Sequence, residues 1–239
     1  MSYKIHPFWS VEKLLSPAKS SLGHPHRNVF ILSHHIPKTA GSSLRVAFQQ
    51  ALGVRRVYGI YANTGASTLS KGAGVWVPSK AKVLHGHFSP HKNQTLIFPN
   101  AIRTVWVRDP IERLWSLIGH LLAAKERHPH YLLLKSTLPE SSLKSQESIV
   151  KELILNNTIE PFTNTYTRFF KDVPIGKFSF IGSKHRYEED LKKLTNLTEI
   201  KLKTMRLNRR SSQEFQIPSS IKRLESYLFH EYEIVGKFL

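Results

Sequence analysis

The apolar run Val29-Phe30-Ile31-Leu32 leads into Ile36-Pro37-Lys38-Thr39-Ala40-Gly41-Ser42-Ser43. Beyond it Leu44, Ala47, Phe48, Ala51 and Leu52 recur at helical spacing. That pattern predicts a strand, a tight loop and an amphipathic helix over about 28 to 52. Short strands are expected at Val57-Tyr58, Val75-Trp76-Val77 and Lys82-Val83-Leu84-His85, with a Gly- and Ser-bearing loop around 64 to 74. Ile102 to Val107, mostly β-branched and aromatic, reads as a buried strand. It is followed by Asp109 as N-cap, Pro110 at the first helical position and Glu112 closing a capping box. The next helix should bury Ile111, Leu114, Trp115, Ile118, Leu121 and Leu122 and stop before Pro129. Residues 140 to 171 read as helical, broken near Pro161. Phe178 to Ile181 reads as a strand and Arg186 to Leu194 as a helix. Residues 201 to 212 read as a basic loop, and the tail from Ser219 as a helix with Ile221, Leu224, Leu228 and Tyr232 in period. Strands alternating with helices imply one α/β domain over 1–239, a central and mainly parallel sheet flanked by helices, after an irregular lead-in over 1–27.

Composition narrows the chemistry. With no cysteine, disulfides, cysteine zinc sites and thiol catalysis are excluded, and a cytoplasmic home is expected. No run of about 20 apolar residues predicts a membrane span, and residues 1 to 16 do not read as a signal peptide. The chain carries 35 Lys plus Arg against 17 Asp plus Glu, a net charge of +18. Such an excess favours polyanionic partners, with nucleic acid bound only nonspecifically, and leaves the oligomeric state open.

Three stretches carry candidate chemistry. At the start of the first long helix, backbone N–H groups and the helix dipole suit an anion. Gly41 permits close approach, Thr39, Ser42 and Ser43 add hydroxyls, and Lys38 adds a mobile charge. The nucleotide loop G-x-x-x-x-G-K-[ST] is not matched, because Lys38 precedes the glycine. An ordinary strand-to-helix turn is the alternative. Arg108 leaves the Ile102–Val107 strand where the next helix begins, with Ser116, Arg113 and His120 further along it. Ligands in open α/β sheets bind beyond the carboxyl ends of strands, so Arg108 and the Lys38 loop are expected to face one cleft and take a ligand with two anionic groups. A pairing of Arg108 with Asp109 or Glu112 that merely holds the helix start is the alternative. In His85-Gly86-His87, extended backbone would put both imidazoles on one face, with Gly86 leaving room between them, and a neutral imidazole is a competent base. A structural histidine or half of a metal site would look the same from sequence. No further ligands at metal spacing are evident.

Taken together, these segments resemble the sulfotransferases that use 3′-phosphoadenosine 5′-phosphosulfate (PAPS). Pro37 to Ser43 is similar to their 5′-phosphosulfate loop, and Val107-Arg108-Asp109-Pro110-Ile111-Glu112-Arg113-Leu114-Trp115-Ser116 to their 3′-phosphate motif. His85-Gly86-His87 resembles the catalytic element of the uronyl and heparan sulfate 2-O-sulfotransferase branch. Asn164-Thr165-Tyr166-Thr167-Arg168-Phe169, Phe180-Ile181-Gly182 and Arg186-Tyr187-Glu188-Glu189-Asp190 extend the match from about residue 28 onward. Animal Golgi members of that family carry an anchor and disulfides, so the resemblance is to a compact microbial or viral form.

The resemblance implies a P-loop-like three-layer α/β fold and a set of roles. Lys38, Thr39, Ala40, Gly41, Ser42 and Ser43 would hold the 5′-phosphosulfate. Arg108 and Ser116 would hold the 3′-phosphate, and Arg209 and Ser211 in the basic stretch would close over the nucleotide. His87, helped by His85, would take the acceptor proton, while Lys38 neutralises the leaving oxygen. No metal is required. An acidic glycan is the expected acceptor and adenosine 3′,5′-bisphosphate (PAP) the product, with a lipid or small-molecule hydroxyl as the alternative acceptor. A magnesium-dependent kinase or a noncatalytic polyanion-binding protein would explain less of the pattern.

Overall fold

A computed structural model describes residues 6–205 and 216–239. In chain order its elements are α1 (Pro7–Leu15), β1 (Ile31–His34), α2 (Gly41–Leu52), β2 (Val57–Ile60), α3 (Ala66–Ser70), β3 (Val83–Gly86), α4 (Gln94–Ile97) and β4 (Ile102–Val107). There follow α5 (Pro110–Ala124), α6 (Pro129–Thr137), α7 (Gln146–Asn156), α8 (Glu160–Thr163), α9 (Thr165–Phe169), β5 (Phe180–Ser183), α10 (Tyr187–Thr198), α11 (Ser219–Lys222) and α12 (Phe229–Val235). They form two compact units, one of residues 6–107 and 170–205, the other of 108–169 and 216–239.

The first unit holds the whole sheet, five parallel strands in the order β2-β3-β1-β4-β5. All four residues of β1 are buried, as in a strand covered on both faces. Alternation sorts the side chains. Ile31, Val57 and Val83, level in the register, share one face with Leu44 and Phe48 of α2 and with Leu191 and Leu194 of α10. One residue on, Leu32, Tyr58 and Leu84 face the other way, into a core with Trp9 of α1, Leu69 of α3 and Phe98. The expected three-layer α/β arrangement is thus present. Its β4 coincides with the sequence expectation, whereas Val75 to Val77 is not a strand. Val75 makes one isolated antiparallel bridge to Ser20, and the Trp76 indole N–H donates to the Ser16 carbonyl at 2.8 Å. Burial beneath the lead-in, not sheet pairing, explains that apolar run.

The second unit is helical. Ile111, Leu114, Ile118 and Leu121 of α5 pack with Leu134 of α6, Ile149, Val150 and Leu153 of α7, and Ile221 and Leu228 of the tail. Leu122, expected inside, is only partly buried. α5 already ends at Ala124, with Lys125 at φ 48° as its C-cap, and Pro129 instead occupies the first turn of α6, whose N-cap His128 accepts from the His130 N–H at 3.2 Å. The described part of the tail is four short pieces: α11, a 3-10 turn over Glu225–Leu228, α12, and a last 3-10 turn over Gly236–Phe238. Among the described residues no helix is long and apolar enough to cross a membrane.

Candidate active site

The chain leaves β1 toward β2 and leaves β4 toward β5, so the sheet order reverses at the neighbouring carboxyl ends of β1 and β4. Such a reversal is where open α/β sheets bind ligands. The loop from β1 to α2 lies there, and its backbone is unusual. Lys38 has φ 75° and Ala40 φ 76°, both left-handed. For residues with a Cβ this conformation costs on the order of 1–3 kcal/mol each and marks sites where structure is held for use. Ala40 is also the N-cap of α2 and supplies no capping side chain. The loop therefore presents successive backbone N–H groups at the positive end of a twelve-residue helix, a concavity suited to an anion. Thr39 is fully buried and its hydroxyl donates to the Ile36 carbonyl at 2.8 Å, which braces the loop from within. Ser42 is exposed and Ser43 half-buried, both on the first turn.

A histidine cluster adjoins the loop. His35 donates its backbone N–H to the Gly86 carbonyl at 2.8 Å, and His87 donates its own to the Ile60 carbonyl at 2.9 Å. These bonds continue the β1–β3 and β2–β3 ladders by one residue and fix both side chains. The rings of His35 and His87 meet edge to face at 4.5 Å, with His35 Nδ1 and His87 Nε2 3.1 Å apart. Beneath them His85 is fully buried, stacks on His35 at 5.2 Å, and shares a 2.9 Å hydrogen bond between its Nδ1 and Ser33 Oγ. Ser33 and His85 are level in the register, hence on one face.

Two glycines acquire specific reasons. A Cβ on Gly41 would lie 2.1 Å from the His35 ring, so the helix start and the imidazole pack only without it. A Cβ on Gly86 would lie 1.8 Å from the Ile60 carbonyl oxygen. Gly86 thus admits the β2 backbone; it does not make room between His85 and His87, as the sequence suggested. Those two imidazoles also differ in setting, because His87 is exposed on its outer edge while His85 is enclosed.

The cluster is neutral at pH 7. His85 is pulled down to about 3, by burial first and then by Arg45 and His87, against an opposing pull from the Gly41 backbone. His35 is held well below the ordinary imidazole range by burial, then by His87, His85, Arg45 and Lys38. His87 is lowered to about 4 by burial of its inner edge and by Arg45. Arg45, one turn into α2, also donates to the Tyr61 hydroxyl at 3.4 Å, and the Tyr61 ring lies 5.0 Å from that of His87. Sequence reasoning passed over Arg45, Tyr61 and Ser33. Arg45 stands four residues after Gly41, on the same side of the helix, a spacing that could have singled it out. Tyr61 becomes relevant only once β2 is known to flank β3. His91, the other histidine near the motif, has different partners: its ring packs against Gly72 and its Nδ1 accepts from the Asn93 N–H at 3.1 Å.

In the second unit, Arg108 is buried and its Nε donates to the Glu112 carboxylate at 3.1 Å. Asp109 caps α5 by accepting from the Glu112 N–H at 2.9 Å. The Tyr166 hydroxyl donates to the Arg108 carbonyl at 2.6 Å and accepts from its N–H at 2.9 Å. Glu231, fully buried, accepts from the Tyr166 and Thr167 N–H groups at 2.8 Å, so the Asn164–Phe169 stretch anchors the Arg108 backbone. Burial weakens the hold of the Arg108 guanidinium on its proton, and Glu112 opposes this. Ser116 is half-buried on α5. Arg113 is buried and donates to the Phe162 carbonyl, a structural use of a side chain the sequence had grouped with Ser116. Arg209 and Ser211 lie outside the described residues. Among the described residues no three His, Asp or Glu side chains are grouped to hold a metal.

No protein-family model matches the sequence, and no curated protein does. Solved structures with some likeness include mouse sulfotransferase SULT7A1 complexed with PAP, at 10% identity over 87% of this chain and TM-score 0.43. This chain spans 66% of the mouse protein, just under two thirds. A sulfotransferase from Alicyclobacillus acidocaldarius aligns at 12% identity over 88% of this chain and 96% of its own, with TM-score 0.43. Sulfotransferase STF9 from Mycobacterium avium aligns at 9% identity over 94% of this chain and 80% of its own, with TM-score 0.46. Likenesses this distant carry no assignment of function, which has to rest on the chain's own residues.

Proposed function

We propose that this protein is a PAPS-dependent O-sulfotransferase acting on an acidic glycan. The observation that carries the proposal is the β1–α2 loop, held left-handed at Lys38 and Ala40 against an uncapped helix start, with His87 beside it on the strand end. The loop suits the 5′-phosphosulfate, and Arg108 with Ser116 is assigned the 3′-phosphate from the sequence resemblance. The acceptor oxygen attacks sulfur as its proton passes to His87. The bond from sulfur to the phosphate oxygen breaks, and Lys38 offsets charge on the departing bisphosphate. Such transfer depends on positioning and preorganised charge.

The electrostatics support a base at this position. A histidine lowered to about 4 is unprotonated at neutral pH but weakly basic. A polyanionic donor beside it favours the imidazolium and moves it toward the working pH. The alternatives separate on ligand: PAP should raise the melting temperature, and ATP with magnesium or duplex DNA should not match it. Labelled PAPS should place sulfate on uronic-acid polymers, and no incorporation into any hydroxyl acceptor would overturn the assignment.

A further inference from the structure

The contact between His35 and His87 joins two imidazole nitrogens, His35 Nδ1 and His87 Nε2, at 3.1 Å. Only one of them carries the shared proton, so the tautomers of the two rings are coupled. His87 uses Nε2 in this contact, and its Nδ1 has no hydrogen-bond partner among the described residues. A base must offer a lone pair. If that atom is Nδ1, the ring proton sits on Nε2 and is donated to His35 Nδ1.

The geometry makes this arrangement rigid. His35 cannot swing toward α2, because Gly41 lies against its ring so closely that a single methyl would overlap it. It cannot sink, because His85 is stacked beneath it and is itself held by Ser33. Its backbone is tied to Gly86 and that of His87 to Ile60. Among the described residues, the charged and titratable groups facing the pair are Lys38 from the loop, Arg45 from α2, His85 from β3 and Tyr61 after β2. None is a carboxylate, so the one acceptor shown for the His87 Nε2 proton is another imidazole.

We propose that His35 is a positioning residue that sets the tautomer of His87, keeping its proton on Nε2 and leaving Nδ1 as the base. The proposal rests on the sulfotransferase reading, which makes His87 the base, and the ring spectra test the tautomer separately from turnover. When His87 takes the acceptor proton on Nδ1, the resulting imidazolium keeps its Nε2–H on the His35 lone pair. This is the orienting part that a carboxylate plays in a hydrolase triad, supplied here by a neutral group. A neutral partner stabilises the imidazolium less than a carboxylate would, which leaves room for the anionic donor to set the basicity.

The test combines nitrogen-15 spectra of the histidine rings with kinetics. At pH 7, in the absence of any ligand, His87 should show the Nε2–H form. His35→Leu should return it to the mixture of a free imidazole, and His35→Asn, whose amide oxygen falls near the position of Nδ1, should restore it. In turnover, His35→Leu should lower kcat by about 10–100-fold, the scale for losing a histidine's orienting partner, with KM for PAPS unchanged. His35→Asn should recover most of that loss. A proton on His87 Nδ1 in the wild type, or unchanged spectra and kcat in His35→Leu, would overturn the proposal. Failure of the wild type to turn over PAPS, with the Nε2–H form observed, would remove the sulfotransferase reading and leave the tautomer assignment standing.

Discussion

At the residue scale the site is a stack of neutral imidazoles beside cations, and each position makes its own demand. His87→Ala should leave PAPS binding intact while turnover falls by about 10²–10⁴, the usual contribution of a general base; near-normal turnover in a folded variant would move the base elsewhere, with His35 next in line. Because the base works unprotonated, activity is lost as pH falls through its pKa. The acid limb of kcat/KM for PAPS, which reports the donor-free enzyme, should lie below the ordinary 6.5 of imidazole, and that of kcat should lie higher, since bound donor raises the base. Arg108→Ala should weaken PAP binding by about 1.5–3 kcal/mol, the scale of a charged hydrogen bond. Removing the ligand's 3′-phosphate should make the same change nearly silent in calorimetry. Buried histidines also shape stability. His34 and His85 are each lowered to about 3, chiefly by burial. Between 6.5 and that value the unfolded chain binds protons the folded chain does not. Stability is therefore full above 6.5 and falls as pH drops, by up to about 1.4 kcal/mol per pH unit for each group. Urea midpoints at pH 7 and pH 5 should differ less in His34→Gln than in the wild type.

At the element scale the loop between β1 and α2 stores backbone strain that a glycine would release. Ala40→Gly should raise stability by about 1 kcal/mol, read as a higher urea midpoint with unchanged slope. A lower midpoint would mean that the Ala40 methyl is needed for packing. Much of this element was legible in the chain: the apolar run, the Pro-Lys-Thr-Ala-Gly turn and the helical spacing placed β1, the loop and α2 in order. The left-handed residues were not legible, since Lys and Ala carry no preference for that conformation and only the surrounding fold imposes it. The Ile102–Val107 strand and the Asp109 cap were readable because strong local preferences and the tertiary fold agree there. Val75 to Val77 misled because burial alone selects the same residues as a strand. Residues 129 to 137 were missed because Pro129 signals a helix start as well as a stop. Among the histidines, the spacing of His85 and His87 was informative, but their meeting with His35 depends on strand order, which no local pattern encodes.

At the scale of the whole molecule, the net charge of +18 suits the acidic acceptor proposed above. Some of that charge is already spoken for, as Lys193 pairs with Glu189 at 2.6 Å and Arg186 lies 3.8 Å from Asp190. Lys192, Lys201 and Lys203 are exposed. Binding of a uronic-acid polymer should weaken steeply with salt, as counterion release requires, and binding of PAP less so. Labelled sulfate should enter such polymers well ahead of their neutral counterparts at matched low salt; preference for a neutral glycan, a lipid or a phenol would defeat the acceptor assignment alone. The strand order has a further consequence, for how the molecule comes into being. β1 and β2 are not neighbours, because β3 is inserted between them, and Ser33 meets His85 across 52 residues of chain. Until β3 arrives, β1 and β2 have no common partner, and neither His35 nor His87 has the carbonyl that fixes its backbone. Assembly of the reactive surface and closure of the sheet are therefore one kinetic event, with the slow, loop-closing character of non-local pairing. In pulse-labelled hydrogen exchange during refolding, the amides of His35 and His87 should gain protection together, and no partly folded species should bind PAP before they do.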